Sequence, residues 1–244
     1  MERNLQDCYS ILQQISDVLL INGGFLNNPG LYSGETGIVL FFVRYARFTQ
    51  NDLYLDYAYG LVEKIQNRIN HNTLINYEQG LTGIGSTIEY LVQNGFFEAD
   101  TDEILEDFDK RVFFTYNLLY LPIDEVIDVS HYALWRLSGS NAHKGMILQT
   151  ILPQIEKVLH NHSIDISQLQ VARKSIPKVF LEKTSLRYQE LIANNVFWNK
   201  EMGLYDGLAG WGMSLLTELD GDNSWFSLLP DCINITLSNG SLLV

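Results

Sequence analysis

The chain has 244 residues, 46% of them hydrophobic and only 18% charged, a composition that can bury a large core and excludes a disordered protein. Its formal net charge of −13 argues against a nucleic-acid partner and against an anionic membrane surface, because both need a concentrated positive face. The opening Met-Glu-Arg-Asn-Leu-Gln-Asp is not a secretory leader and no apolar run reaches the roughly 18 residues of a membrane span, so a cytoplasmic protein is expected, with Cys8 and Cys232 as reduced thiols.

Leu5, Cys8, Leu12, Ile15 and Leu19 recur at steps of three and four and predict an amphipathic helix. The segment Gly30-Leu-Tyr-Ser-Gly34-Glu-Thr-Gly37-Ile38 follows. It leads into Ile38–Val43 with Tyr45, Ala46 and Phe48, a stretch apolar around most of its circumference that other helices must enclose. A second amphipathic helix runs from Leu53 to Ile69 through Tyr57, Leu61 and Ile65. Then Tyr77-Glu-Gln-Gly80-Leu-Thr-Gly83-Ile84-Gly85 copies the first glycine segment, with Gly34 and Gly80 lying 46 residues apart (80 − 34).

Asp100, Asp102, Glu103, Glu106, Asp107 and Asp109 read as a solvated helix start, capped by Asp100 with Glu103 in the capping-box position. A helix is predicted from Ile104 to Leu119. Ile127-Asp128-Val-Ser-His131 is a degenerate copy in which Asp128 and His131 replace the two glycines. The helix from Met146 to Leu159 should be kinked or divided at Pro153. Arg173, Lys174, Lys178, Lys183 and Arg187 suit an exposed outer helix. Gly203-Leu-Tyr-Asp-Gly207-Leu-Ala-Gly210-Trp-Gly212 is the clearest late copy.

Amphipathic helices alternating with enclosed ones predict an all-α protein in two layers. The glycines of each copy permit positive φ and close backbone approach where an enclosed helix begins. Repeated along an arc, such turns converge on one concavity. The candidate cavity-facing residues are Glu35, Asp128, His131, Tyr205 and Asp206, and the structural turn glycines are Gly34, Gly37, Gly80, Gly83, Gly207 and Gly210. The acids also suit helix caps, His131 also suits a structural role, and Tyr32, Tyr205 and Trp211 either stack on a ligand or fill core. His160-x-His162 has no third ligand nearby in sequence.

These motifs resemble the lanthionine synthetase C-like family, from about Gly30 through Leu137 and again from Gly203 to about Leu229. The resemblance implies an α/α toroid, complete or partial, as a single domain over 1–244. It also implies peptide chemistry. The family's cyclases add a peptide cysteine thiol to a dehydrated serine or threonine, on a zinc ion held by two cysteines and one histidine that lowers the thiol pKa, and a neighbouring histidine serves in proton transfer. Their ligand signals are a Trp-Cys-Tyr-Gly-like segment and a Cys-His-Gly segment. This chain has neither: Tyr205-Asp206-Gly207 stands where Cys-His-Gly would be sought, Cys8 precedes the first copy and Cys232 follows the last.

The expectation is therefore a relative without the zinc site, with no catalytic residue or metal ligand assigned. It would be a binding or accessory module in lanthionine-type peptide modification, engaging a peptide ligand or a partner enzyme. Two alternatives stay open: a thioether-forming cyclase whose ligands lie elsewhere, and a carbohydrate-active α/α enzyme using two carboxylates. An arc that fails to close would expose apolar helix faces and predicts a homodimer or a partner that covers them.

Overall fold

The computed structural model describes residues 5–115, 117–139, 142–163, 201–205 and 207–229, and among these there are helices and no strands. The basic stretch from Arg173 to Arg187, Asp206 and Cys232 lie outside them. The chain divides into two compact units, Met1–Leu74 with Glu78–Gly80 and Phe180–Asn223, and Ile75–Tyr77 with Leu81–Val179 and Ser224–Val244. No described helix is long and apolar enough to cross a membrane.

The first unit contains helices α1 (Leu5–Asn22), α2 (Glu35–Thr49) and α3 (Asp52–Arg68). Their layering follows the apolar pattern. In α2 every residue from Glu35 to Ala46 is buried, whereas α3 buries only Ala58, Leu61 and Ile65, and α1 buries the stripe of Leu12, Ile15 and Leu19. The late helix, Leu208–Asp220, is buried without interruption from Leu208 to Leu216 and packs against both α1 and α2. Each fully buried Leu, Ile or Phe adds roughly 1.5–3 kcal/mol, so the two enclosed helices carry most of the apolar stabilisation of this unit. Gly212 permits the contact between them, since a Cβ there would overlap the Phe41 ring. The buried Arg44 of α2 bonds Asp220 (2.8 Å) at the C-terminal end of the late helix, where a cation is favoured.

The second unit is built on α4 (Leu81–Gln93), α5 (Ile123–Gly139) and α6 (Leu152–Asn161), with α4 packed on α5 and α5 on α6. The late helix of the first unit, Leu208–Asp220, is α7 in chain order. Three expectations fail in the second unit. The helix expected from Ile104 to Leu119 is broken into the turns Thr101–Ile104 and Glu106–Asp109, a wide π-type turn at Lys110–Phe114 and a 3-10 turn at Leu118–Tyr120. The acidic stretch is not simply solvated. Asp100 does cap, accepting from the Asp102 N–H at 2.9 Å, but Asp109 is buried, and its pull toward Arg136 accompanies the break at Leu105 (φ −98, ψ 8).

The third failure is one of register. Asp128 does not precede a helix as Gly34 and Gly80 do. Pro122 stands immediately before α5, which then runs through Asp128 and His131 without interruption. The division expected near Pro153 is present. A π-type turn at Ile147–Ile151 leads directly into α6, whose first turn holds the proline, where its missing N–H is tolerated.

Candidate functional site

Gly34, Gly80 and Gly207 each stand immediately before an enclosed helix, α2, α4 and α7. The positive φ expected of them is absent. Gly34 (φ −122) and Gly207 (φ −113) are extended, a conformation any residue adopts, and the described glycines with positive φ are Gly95 and Gly221. Proximity explains the requirement instead. A Cβ on Gly34 would lie 2.5 Å from the Gly30 carbonyl oxygen, and one on Gly207 would lie 2.5 Å from the Gly203 nitrogen. The first and third turns thus fold their second glycine onto their first.

In the first unit the turns also lie against one another. A Cβ on Gly203 would lie 2.5 Å from the Cα of Ser33, and one on Gly30 would lie 2.6 Å from the Glu78 carbonyl oxygen. The Tyr32 N–H donates to the Glu78 carbonyl at 3.0 Å, and the Tyr205 N–H donates to the Tyr32 carbonyl at 2.9 Å. Tyr32, Glu78 and Tyr205 hold the same place in their turns, two residues before the helix-starting glycine. The repeat is therefore a geometric device as well as a sequence pattern: equivalent residues form a seam of backbone hydrogen bonds. Along it the Tyr32 and Tyr205 rings stack, centroids 5.4 Å apart at 17°, with Tyr32 buried beneath and Tyr205 41% exposed.

The individual turns are braced by residues that the sequence pattern did not single out. The Thr36 hydroxyl donates to the Pro29 carbonyl at 2.5 Å in the first turn. In the second unit the Thr82 hydroxyl donates to the Ile75 carbonyl at 2.6 Å from the equivalent place. The signal was available, since a threonine follows the helix-starting glycine by two residues in both copies. Asn28 locks the first turn further, accepting from Gly30 N–H and donating to Ser33 Oγ, both at 2.9 Å.

The candidate acids are engaged. Glu35 is fully buried at the start of α2, bonded to Lys64 Nζ (2.8 Å) and Arg68 Nη1 (2.7 Å) of α3. Lys64 also reaches the Gly24 carbonyl and Arg68 the Leu26 carbonyl, so Glu35 clasps the segment leading into the turn. Asp128 accepts the Tyr77 N–H at 3.0 Å from within α5. One turn further along α5, His131 is 1% exposed and meets the Tyr77 ring edge-on at 5.9 Å. The structure thus brings Asp128, His131 and Tyr77 together in the second unit, and Tyr205 with Tyr32 in the first. Asp206 is outside the described residues.

A further charged cluster was missed. Arg136, on the C-terminal half of α5, is fully buried and bonds Asp109 (2.9 Å), Asp102 (2.9 Å) and Glu89. Tyr132 Oη donates to Asp109 at 2.6 Å, Gln93 Nε2 to Glu89 at 3.0 Å and the Ala142 N–H to Asp102 at 2.8 Å, while His143 Nδ1 lies 2.7 Å from Asp109. Each carboxylate oxygen of the three acids has a donor, the condition under which a buried charge network holds together. Burial, then the Asp109 carboxylate, pushes the Tyr132 hydroxyl well above its usual pKa. The sequence hint was Glu89, the lone charge of apolar α4, and Arg136, the one Lys or Arg of α5. The network saturates its own groups and ties α4 and α5 to the 101–109 segment.

The residues do not fit the zinc ion of the family resemblance. Among the described residues no group of three His, Cys, Asp or Glu is placed to hold a metal. The chain has only two cysteines, and Cys8 is buried on α1 within the first unit. The place of the expected Cys-His pair is taken by Tyr205 and Asp206.

The model of a family described as lanthionine synthetase C-like protein matches residues 26–182, covering the first two glycine turns and α5 and stopping short of the third. No curated protein and no solved structure matches the chain.

Proposed function

This chain belongs to the lanthionine synthetase C-like family, whose members act broadly in peptide modification, and we propose that it serves there as a peptide-binding module without a zinc-borne thiolate of its own. The observation that carries this reading is the divergence of two features. The chain carries the glycine turns that start the enclosed helices, closely packed at Gly34 and Gly207, but has neither the Trp-Cys-Tyr-Gly-like nor the Cys-His-Gly segment of the zinc site. A rigid frame of turns can present a peptide surface without performing the ring closure.

The carbohydrate reading draws no support from Glu35 or Asp128. Glu35 is held between two cations and Asp128 accepts a backbone N–H, whereas a glycosidase needs two carboxyl groups facing the substrate.

The test uses a linear peptide carrying one cysteine, one dehydroalanine and one phenylalanine. Calorimetry should detect binding, and the peptide cysteine should stay open to alkylation after prolonged incubation with the protein. Loss of the alkylatable thiol together with loss of the dehydroalanine would mean thioether formation and would restore the cyclase reading.

A further inference from the structure

We infer that the third glycine turn is an aromatic clamp: Tyr205, seated on Tyr32, contacts the side chain of a bound peptide at the place where a metal-binding relative would carry its ligands. The inference rests on the peptide-binding reading and names the contact it would use.

Two arrangements hold the Tyr205 ring in place. Its backbone N–H is tied to the Tyr32 carbonyl at 2.9 Å, and its ring lies nearly parallel to that of Tyr32. The backbone beneath cannot shift freely, because Gly203 abuts Ser33, and Gly37 brings α2 so close that a Cβ there would be 2.8 Å from the Leu204 nitrogen. A ring fixed in this way loses little conformational freedom when a ligand settles on it, the property that makes tyrosine a frequent anchor in binding surfaces.

Exposure distinguishes the two stacked rings. Tyr32 is 7% exposed and serves as the floor, while Tyr205 keeps 41% of its surface open. Glu78, the third residue of the set, is exposed and joined through its carbonyl to Tyr32. An exposed ring held on a second ring favours a peptide side chain with a flat apolar face, such as phenylalanine. A thiolate-binding metal site would need sulfur and imidazole here, and the turn offers a phenol ring instead.

The experiment has two arms. In the first, protein stripped with a chelator is dialysed against zinc chloride and its metal content measured. Far less than one zinc per chain is expected, and retention of one zinc per chain overturns the inference. In the second, the phenylalanine-containing peptide is titrated into wild type, Tyr205→Phe and Tyr205→Ala, with thermal melts confirming that all three are folded. The phenylalanine variant should bind within about twofold of wild type and the alanine variant about tenfold more weakly. Equal binding by Tyr205→Ala and wild type defeats the clamp alone and leaves peptide binding standing. If wild type fails to bind, the peptide-binding reading falls and the clamp falls with it.

Discussion

A glycine earns its place in this protein by what lies beside it, and the structure separates glycines that are needed from those that are not. At Gly34 an added methyl would enter the space of the Gly30 carbonyl, whose position the turn fixes, and no rotamer change relieves that. Gly34→Ala is expected to destabilise the protein by about 2–4 kcal/mol in urea unfolding. Gly60 is the control. It lies within α3 with nothing within 4 Å of its would-be Cβ, so Gly60→Ala should stabilise by about 0.5–1 kcal/mol through helix propensity. If both variants shifted stability in the same direction, proximity would not be what holds glycine in the turns. The sequence alone left the cause open between positive φ and close approach. It marked the glycines through their repetition, but positive φ and close approach leave the same residue in a sequence, and only coordinates distinguish them.

At the level of elements, the enclosed helices touch closely because glycines face large rings. Gly85 of α4 lies against α5, where a Cβ would fall 2.6 Å from the Tyr132 ring and 3.2 Å from that of Phe108. Gly85→Ala should push these elements apart and cost about 1–3 kcal/mol, with altered near-ultraviolet circular dichroism from the displaced rings. Unchanged stability and spectrum would show that the helices have room to spare. Helix positions were legible from periodicity: the run Leu5 to Leu19 lies within α1, and Leu53 to Ile69 differs from α3 by a residue at each end. The 101–120 segment was not legible, because a buried carboxylate at Asp109 is favourable only once Arg136 is beside it, and 27 positions separate the two. Asp128 was misplaced for a related reason. Its real partner is the Tyr77 N–H, a contact made across elements that a repeat register cannot reveal.

For the molecule as a whole, charge and protonation set the conditions of stability. The excess of acids leaves the second unit with one buried arginine serving three carboxylates, and the same network keeps the Tyr132 hydroxyl protonated. Its folded pKa lies above the unfolded value of about 10, so the sign is clear. Below pH 10 both states hold the proton and this contribution is fully present. As pH rises beyond 10 the unfolded chain loses the proton first, and stability falls toward the folded pKa. Tyr132→Phe should lower stability at neutral pH through loss of the Asp109 hydrogen bond, yet flatten its decline above pH 10 in denaturant titrations. An alkaline slope as steep as that of wild type would assign the decline to other groups, such as Tyr45, whose hydroxyl burial also raises.

Local regularities sufficed to determine the helical class, the alternation of enclosed and amphipathic helices, the glycine turns and the family, because periodicity and repetition are written in neighbouring residues. Tertiary structure alone decided that the turns form a hydrogen-bonded seam, that Glu35 is a clasp between α2 and α3, and that Asp109, Glu89 and Asp102 converge on Arg136. The physical reason is the range of the forces involved. Apolar periodicity acts within a helix turn or two, whereas the pairing of a buried charge depends on which distant segment arrives with the opposite sign.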